Sequence, residues 1–189
     1  MKIVICGSMT FKSQIGNIKT KLESVGHEVV IPQGARVDPI VPPDEIQLPH
    51  DKRDEFHYYY KEIKTADAVL IVNFEKRVFI NGEERDIPGY IGGNTLIEMA
   101  FAYVLGKMML LMDEVPPEKF LPYLAYLDEI NRMRPYYVLA KGLTEQDFRA
   151  EEVANLSSRK WHGTRRYKRE MLDRFKFAQV AEIRDLLFS

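Results

Sequence analysis

Between Leu96 and Leu105 every residue is apolar or aromatic except Glu98. A carboxylate isolated in such a run calls for an explanation, because burying an unpaired charge is costly. One explanation is chemistry, with Glu98 facing a pocket. The other is local structure: Thr95 and Glu98, three apart, read as a capping box with Thr95 as N-cap and Glu98 at N3. The sequence leaves both open, since a carboxylate in a first helical turn can cap and still face a cleft. Gly89-Tyr90-Ile91-Gly92-Gly93-Asn94 leads into the run, and its glycines allow backbone to approach a ligand closely. A lone carboxylate facing a sugar's anomeric carbon can act as nucleophile, giving a covalent glycosyl-enzyme that water or a second acceptor resolves.

Several other chemistries lack their residues. No Gly-rich loop ends in Gly-Lys-Ser/Thr, and no Gly-x-Gly-x-x-Gly fingerprint follows the first apolar run, so neither a P-loop nor a dinucleotide site is indicated. His27, His50, His57 and His162 are not spaced as metal ligands, and no metal or cofactor is expected. Ser8 lacks the Gly-x-Ser-x-Gly setting of a hydrolase nucleophile. Cys6 is the single cysteine, which excludes an internal disulfide and a multi-cysteine zinc site; a core thiol is its simplest reading.

The elements that would position Glu98 follow from periodicity. Residues 2–6 are a short β-branched run consistent with a strand buried on both faces. Phe11, Ile15, Ile18 and Leu22 then recur at helical spacing up to Gly26, and residues 27–32 read as a second strand. Strand, helix and strand in about thirty residues is a βαβ unit, which predicts a parallel sheet. Such sheets place their sites outside the carboxyl ends of the strands, here the Gly7-Ser8-Met9-Thr10 turn. That turn offers backbone N–H donors at a helix N-terminus, suited to a phosphate or sugar hydroxyl.

Residues 33–50 are proline-rich without a helical or strand period, and read as a substrate lid or an irregular surface loop. Residues 51–65 are expected to be helical, residues 68–73 a strand ending at Asn73, and residues 78–87 a hairpin turning at Asn81-Gly82. After the Glu98 helix, residues 108–112 predict a strand, 118–132 a helix and 136–140 a fifth strand. Residues 1–141 then form an α/β domain and residues 142–189 a helical extension, with a short helix at 144–154 and an amphipathic one at 165–187. Arg159, Lys160, Arg165, Arg166, Lys168 and Arg169 make part of that extension basic. They read as a solvated face, or as a patch for nucleic acid or another anionic ligand.

With 189 residues, 46% hydrophobic and 29% charged, the chain can bury one core. A net charge of -1 does not nominate nucleic acid or membrane as a partner. No run is long enough to span a membrane and the N-terminus has no signal-peptide pattern, so a cytoplasmic protein is expected. The near-continuous apolar surface of the Glu98 helix predicts a homo-oligomer or cover by the tail helix, because one sheet face cannot bury it all.

Three segments together resemble a family. Cys6-Gly7-Ser8 after the first strand, Ala66-Asp67-Ala68-Val69-Leu70-Ile71-Val72-Asn73, and Tyr90-Ile91-Gly92-Gly93-Asn94-Thr95 through Glu98 to Gly106-Lys107 are similar to the nucleoside 2-deoxyribosyltransferase-like superfamily, in its Tyr-Ile-Gly-Gly-Asn branch. The resemblance covers residues 1–140. It implies a flavodoxin-like, Rossmann-like five-stranded parallel sheet with flanking helices. It also implies Glu98 as nucleophile at C1′ and the first loop as binder of the sugar or its 5′ end, with sites often completed by a neighbouring subunit. Against the superfamily's pattern, Tyr59 stands where active members carry aspartate eight residues before Asp67, and His57 is the histidine nearest to the branch's own. Gly92 stands where aspartate or serine precedes the glutamate by six, and Val4 replaces a tyrosine of the hydrolases.

The expected activity is an N-glycosidase or N-deoxyribosyltransferase acting on a nucleoside or nucleoside 5′-monophosphate. Glu98, Tyr59 and His57 are its catalytic candidates; Gly7, Ser8, Thr10, Asn73, Gly92, Gly93 and Asn94 are its binding candidates. Two alternatives stand beside it: a non-catalytic nucleotide-binding module, and an interaction protein working through the basic tail.

Overall fold

A computed structural model describes residues 1–35, 52–80, 82–121, 123–133, 137–142 and 177–189. Of the expected lid, Gln33–Ala35 is described and forms a single turn; residues 36–50, the short helix at 144–154, the basic stretch at 159–169 and Asn81 lie outside the described residues. Seven strands are described: β1 (Lys2–Gly7), β2 (Glu28–Val30), β3 (Ala68–Val72), β4 (Lys76–Ile80), β5 (Glu83–Ile87), β6 (Met108–Leu111) and β7 (Tyr137–Leu139). The helices are α1 (Lys12–Ser24), α2 (Lys52–Thr65), α3 (Gly93–Val104), α4 (Leu127–Arg132) and α5 (Phe177–Phe188).

Five strands pair in parallel in the order β2-β1-β3-β6-β7, and β4 with β5 forms a separate antiparallel hairpin. The chain winds outward from β1 in one direction through α1 to β2, then returns to build β3, β6 and β7 on the other side. That reversal between β1 and β3 is the switch point of a flavodoxin-like sheet, where the carboxyl ends of the strands open a crevice.

Strand period 2 divides the apolar residues between two cores. Ile3 and Ile5 of β1, with Leu70 of β3 and Leu110 of β6, pack against Ile15, Ile18 and Leu22 of α1 and Ile183 of α5. Val4 and Cys6, with Val69, Ile71 and Leu111, pack on the opposite face against Tyr59 and Ile63 of α2 and Met99 and Ala102 of α3. The described part of the tail thus covers α1, not α3. Beside α3 lies α2, with Tyr60 set edge-on to Phe101 at a centroid distance of 5.5 Å, while Val104 stays 80% exposed.

One expected element differs. Residues 118–132 are not one helix but a single turn at Glu118–Phe120 followed by α4. The sequence carries Pro122 between them, and proline within a helix removes a donor and clashes with the preceding turn.

Two glycines determine how α3 is entered and left. At Gly106, with φ of 62°, the N–H bonds Tyr103 O at 3.1 Å while Lys107 N–H bonds Ala102 O at 2.8 Å, the paired bonds of a Schellman stop. At Gly89, also with φ of 62°, a Cβ would stand 1.8 Å from the carbonyl oxygen of Glu114. Substituting Gly89→Ala should therefore force backbone apart and cost more than about 2 kcal/mol, read as a lowered urea midpoint with unchanged slope. A wild-type midpoint would show that this approach is not tight.

Candidate active site

Helix α3 begins earlier than the capping-box reading requires. Gly92 is its N-cap, with φ -80° and ψ 165° and no side-chain cap, and the first helical bond runs from Leu96 N–H to Gly92 O at 2.9 Å. Thr95 therefore sits at N3 and Glu98 at N6, so the expected capping box does not form. Glycines at 92 and 93 let the chain enter the helix three residues sooner. Glu98, though only 6% exposed, faces a cleft. It lies beside the Cys6 thiol at the end of β1.

The cleft has a volume of about 270 Å³, close to the lower end of the about 300–1,000 Å³ of small-molecule sites. Gly7, Ser8 and Met9 form its floor at the carboxyl end of β1, with Pro32 after β2 beside them. Glu55 and Tyr59 of α2 form one wall. Tyr90, the Gly92-Gly93-Asn94 entry to α3, Thr95 and Glu98 form the other. Ser8 is held as N-cap of the turn Met9–Phe11: Oγ accepts from Thr10 N–H at 3.3 Å and donates to Thr10 Oγ1 at 3.2 Å.

The structure thus brings together Glu98, Tyr59, Gly7, Ser8, Gly92, Gly93 and Asn94. Thr10 is exposed and supports Ser8 without lining the cleft. His57 is exposed and also lies off the cleft, because successive helical residues turn by about 100° and put His57 and Tyr59 on roughly opposite sides of α2. Asn73 is fully buried and bonds backbone instead: Nδ2 donates to Asp113 O at 2.7 Å and Oδ1 accepts from Asp113 N–H at 3.0 Å. It ties the end of β3 to the chain leaving β6.

Glu55 and Tyr90 are cleft residues that the sequence reading passed over. The signal for Glu55 was present, since Glu55 and Tyr59 are four apart on one helix and share a face. Tyr90 is set by α4's approach: Tyr126 donates its hydroxyl to Ile91 O at 2.8 Å and interacts with the Tyr90 hydroxyl.

Electrostatics hold the Cys6 thiol and two tyrosine phenols of this region in their protonated forms. Burial, and then the Glu98 charge, push the Cys6 thiol well above its usual range. The same two causes push the Tyr59 phenol far up, and burial followed by Tyr90 raises Tyr126 to about 12. Tyr59 is 1% exposed and its hydroxyl has no hydrogen-bond partner among the described residues. An unsatisfied buried donor on a cleft wall is costly and suits a ligand that would satisfy it. Among the described residues no group of three or more His, Cys, Asp or Glu is placed to hold a metal ion, and no helix is long and apolar enough to cross a membrane.

No protein-family model matches the chain, and no curated protein matches it either. Among solved structures it is similar to the CMP N-glycosidase BcmB of Clostridium botulinum, with 15% identity and a TM-score of 0.36 over 70% of this chain and 99% of that one. So slight a likeness stops at the α/β fold, which the strand pairing establishes by itself.

Both tyrosines ionise less readily folded than unfolded, where the ordinary value is 10.0. The stability they confer is complete below pH 10 and is lost as pH rises from there, through about 12 for Tyr126 and higher still for Tyr59. Tyr59→Phe should flatten part of that alkaline loss in urea titrations. At neutral pH it should leave stability unchanged or raise it by up to about 1 kcal/mol, since the hydroxyl removed has no partner. A clear loss at neutral pH would mean that the hydroxyl is already satisfied.

Proposed function

We propose that the protein is an N-glycosidase or N-deoxyribosyltransferase acting on a nucleoside or nucleoside 5′-monophosphate, with Glu98 as nucleophile. The observation that carries this reading is the placement of Glu98: a nearly buried carboxylate with no capping role, on a cleft at the sheet's switch point. The motifs of the 2-deoxyribosyltransferase-like superfamily fall on the same cleft at Gly7, Ser8, Gly92, Gly93 and Asn94.

In this mechanism a Glu98 carboxylate oxygen attacks C1′ and the C1′–N bond breaks, its electron pair passing to the base nitrogen. The departing base takes a proton from an acid on the cleft wall, and Glu55 is the second carboxylate there. Water, or a second base, then attacks C1′, the glycosyl ester opens, and Glu98 leaves as carboxylate. The attacking group's proton returns to Glu55. Tyr59, held as phenol, donates its hydroxyl to a sugar oxygen and loses its buried mismatch on binding. Of the two aromatic candidates on α2, Tyr59 takes this part and His57 does not.

Incubation with deoxyribo- and ribonucleosides and their 5′-monophosphates should release free base from at least one of them. Glu98→Ala should lower the rate by about 10³-fold or more. Mass spectrometry of the quenched wild-type enzyme should find the glycosyl group on the peptide bearing Glu98. Release of no base from any of these substrates would overturn the reading. Stabilisation by a nucleotide without turnover would mark a binding module instead.

A further inference from the structure

The hairpin of β4 and β5 is a separate two-stranded sheet, and its arginines are matched within it. Arg77 pairs with Asp86 at 2.9 Å and lies 3.7 Å from Glu84, while Arg85 pairs with Glu83. Lys76 is placed differently. Burial alternates along β4, with Lys76, Val78 and Ile80 on the half-buried row and Arg77 and Phe79 on the exposed one. Val78 and Ile80 pack from that row onto the core between the sheet and α2–α3. Lys76 occupies the same row, where an apolar residue would be expected, and its ammonium reaches two residues of the cleft's lining from behind.

Lys76 Nζ donates to Ser8 Oγ at 3.3 Å and stands 4.5 Å from the centroid of the Tyr90 ring. Ser8 and Tyr90 both line the cleft. Among the described residues no carboxylate pairs with Lys76. An ammonium has three donors, so the bond to Ser8 leaves two for a ligand. A half-buried cation on an aromatic face, beside a serine-capped turn and with no carboxylate paired to it among the described residues, suits an anion.

We infer that Lys76 and Ser8, backed by the Tyr90 ring, form a phosphate subsite at one end of the cleft, which makes the substrate a nucleoside 5′-monophosphate rather than a free nucleoside. The subsite rests on the glycosidase reading for its reaction but not for its binding. A monophosphate carries its charge at one end and its anomeric carbon away from it, so Lys76 holds the first while C1′ lies against Glu98. Specificity then comes from a hairpin outside the segments that resemble the superfamily.

The test compares kcat/KM for matched nucleosides and 5′-monophosphates in the wild type, Lys76→Ala, Lys76→Met and Arg77→Ala. Lys76→Met keeps an aliphatic stem on Tyr90 and removes only the charge. Both Lys76 variants should reduce the preference for monophosphate over nucleoside by about 10- to 100-fold, mostly through KM, and Arg77→Ala should keep the wild-type preference. A second arm measures binding by calorimetry in the Glu98→Ala background, where adding Lys76→Met should weaken monophosphate binding by a similar factor. An unchanged preference, or an equal loss in Arg77→Ala, would overturn the subsite. Should no base be released at all, the glycosidase reading fails and the binding arm still decides: monophosphate bound no tighter than nucleoside, or bound equally with and without Lys76, overturns it.

Discussion

Beneath α2 and α3, the Glu98 carboxylate meets the Cys6 thiol from β1, and Tyr59 lies near enough for the charge on Glu98 to oppose its ionisation. A carboxylate this buried must be compensated where it stands, because removal from water costs several kcal/mol or about that order. Three elements contribute to the contact, and their arrangement follows from it. Strand β1 must end there, α2 must present Tyr59, and α3 must start early enough to carry Glu98 past its first turn. The thiol is a weak donor, so it occupies space beside Glu98 without neutralising it. The carboxylate keeps one side on the cleft.

The second wall of the cleft is fixed from further away. Asn73 holds Asp113 against the end of β3, and the following Glu114 carbonyl is what Gly89 packs on. Tyr90 N–H bonds Phe74 O at 3.0 Å, and Tyr126 holds Ile91 from α4. The entry to α3 is thus clamped on both sides before it reaches Gly92. Asn73 and Tyr126 act on the cleft through backbone rather than by lining it. Rigid support of this kind lets a small cleft keep its geometry while its floor is a glycine turn.

Much of the framework was legible because it depends on local period. Each parallel strand is a short apolar run, α1 repeats its apolar residues at helical spacing, and Gly26 and Gly106 stop helices where backbone needs a positive φ. The hairpin followed from its turn, and Ile80 pairs with Glu83 as a two-residue connection requires. Errors arose where two local rules competed. Thr95 and Glu98 have the spacing of a capping box, yet Gly92 already caps the helix, and a capping box cannot form inside a turn that is already hydrogen-bonded. The apolar pattern of 118–132 suits a continuous helix, yet the segment carries Pro122, which such a helix does not tolerate. On α2 His57 is nominated as the histidine nearest to the branch's own, whereas helical geometry puts Glu55 on the face that Tyr59 presents to the cleft.

The sequence by itself determined the alternation of strands and helices, the parallel sheet and the isolation of one carboxylate in an apolar helix. These are properties of residues within a few positions of one another, and propensity, period and glycine chemistry act over that range. Tertiary structure alone decided which side chains share the cleft. Cys6, Tyr59 and Glu98 are separated by tens of residues and meet only because β1 lies under α2 and α3. Likewise Lys76 reaches Ser8 only because the hairpin folds back across the end of β1. Burial converted Glu98 from a plausible helix cap into a cleft residue, since the cost of a buried charge depends on everything packed around it and on nothing that spacing records.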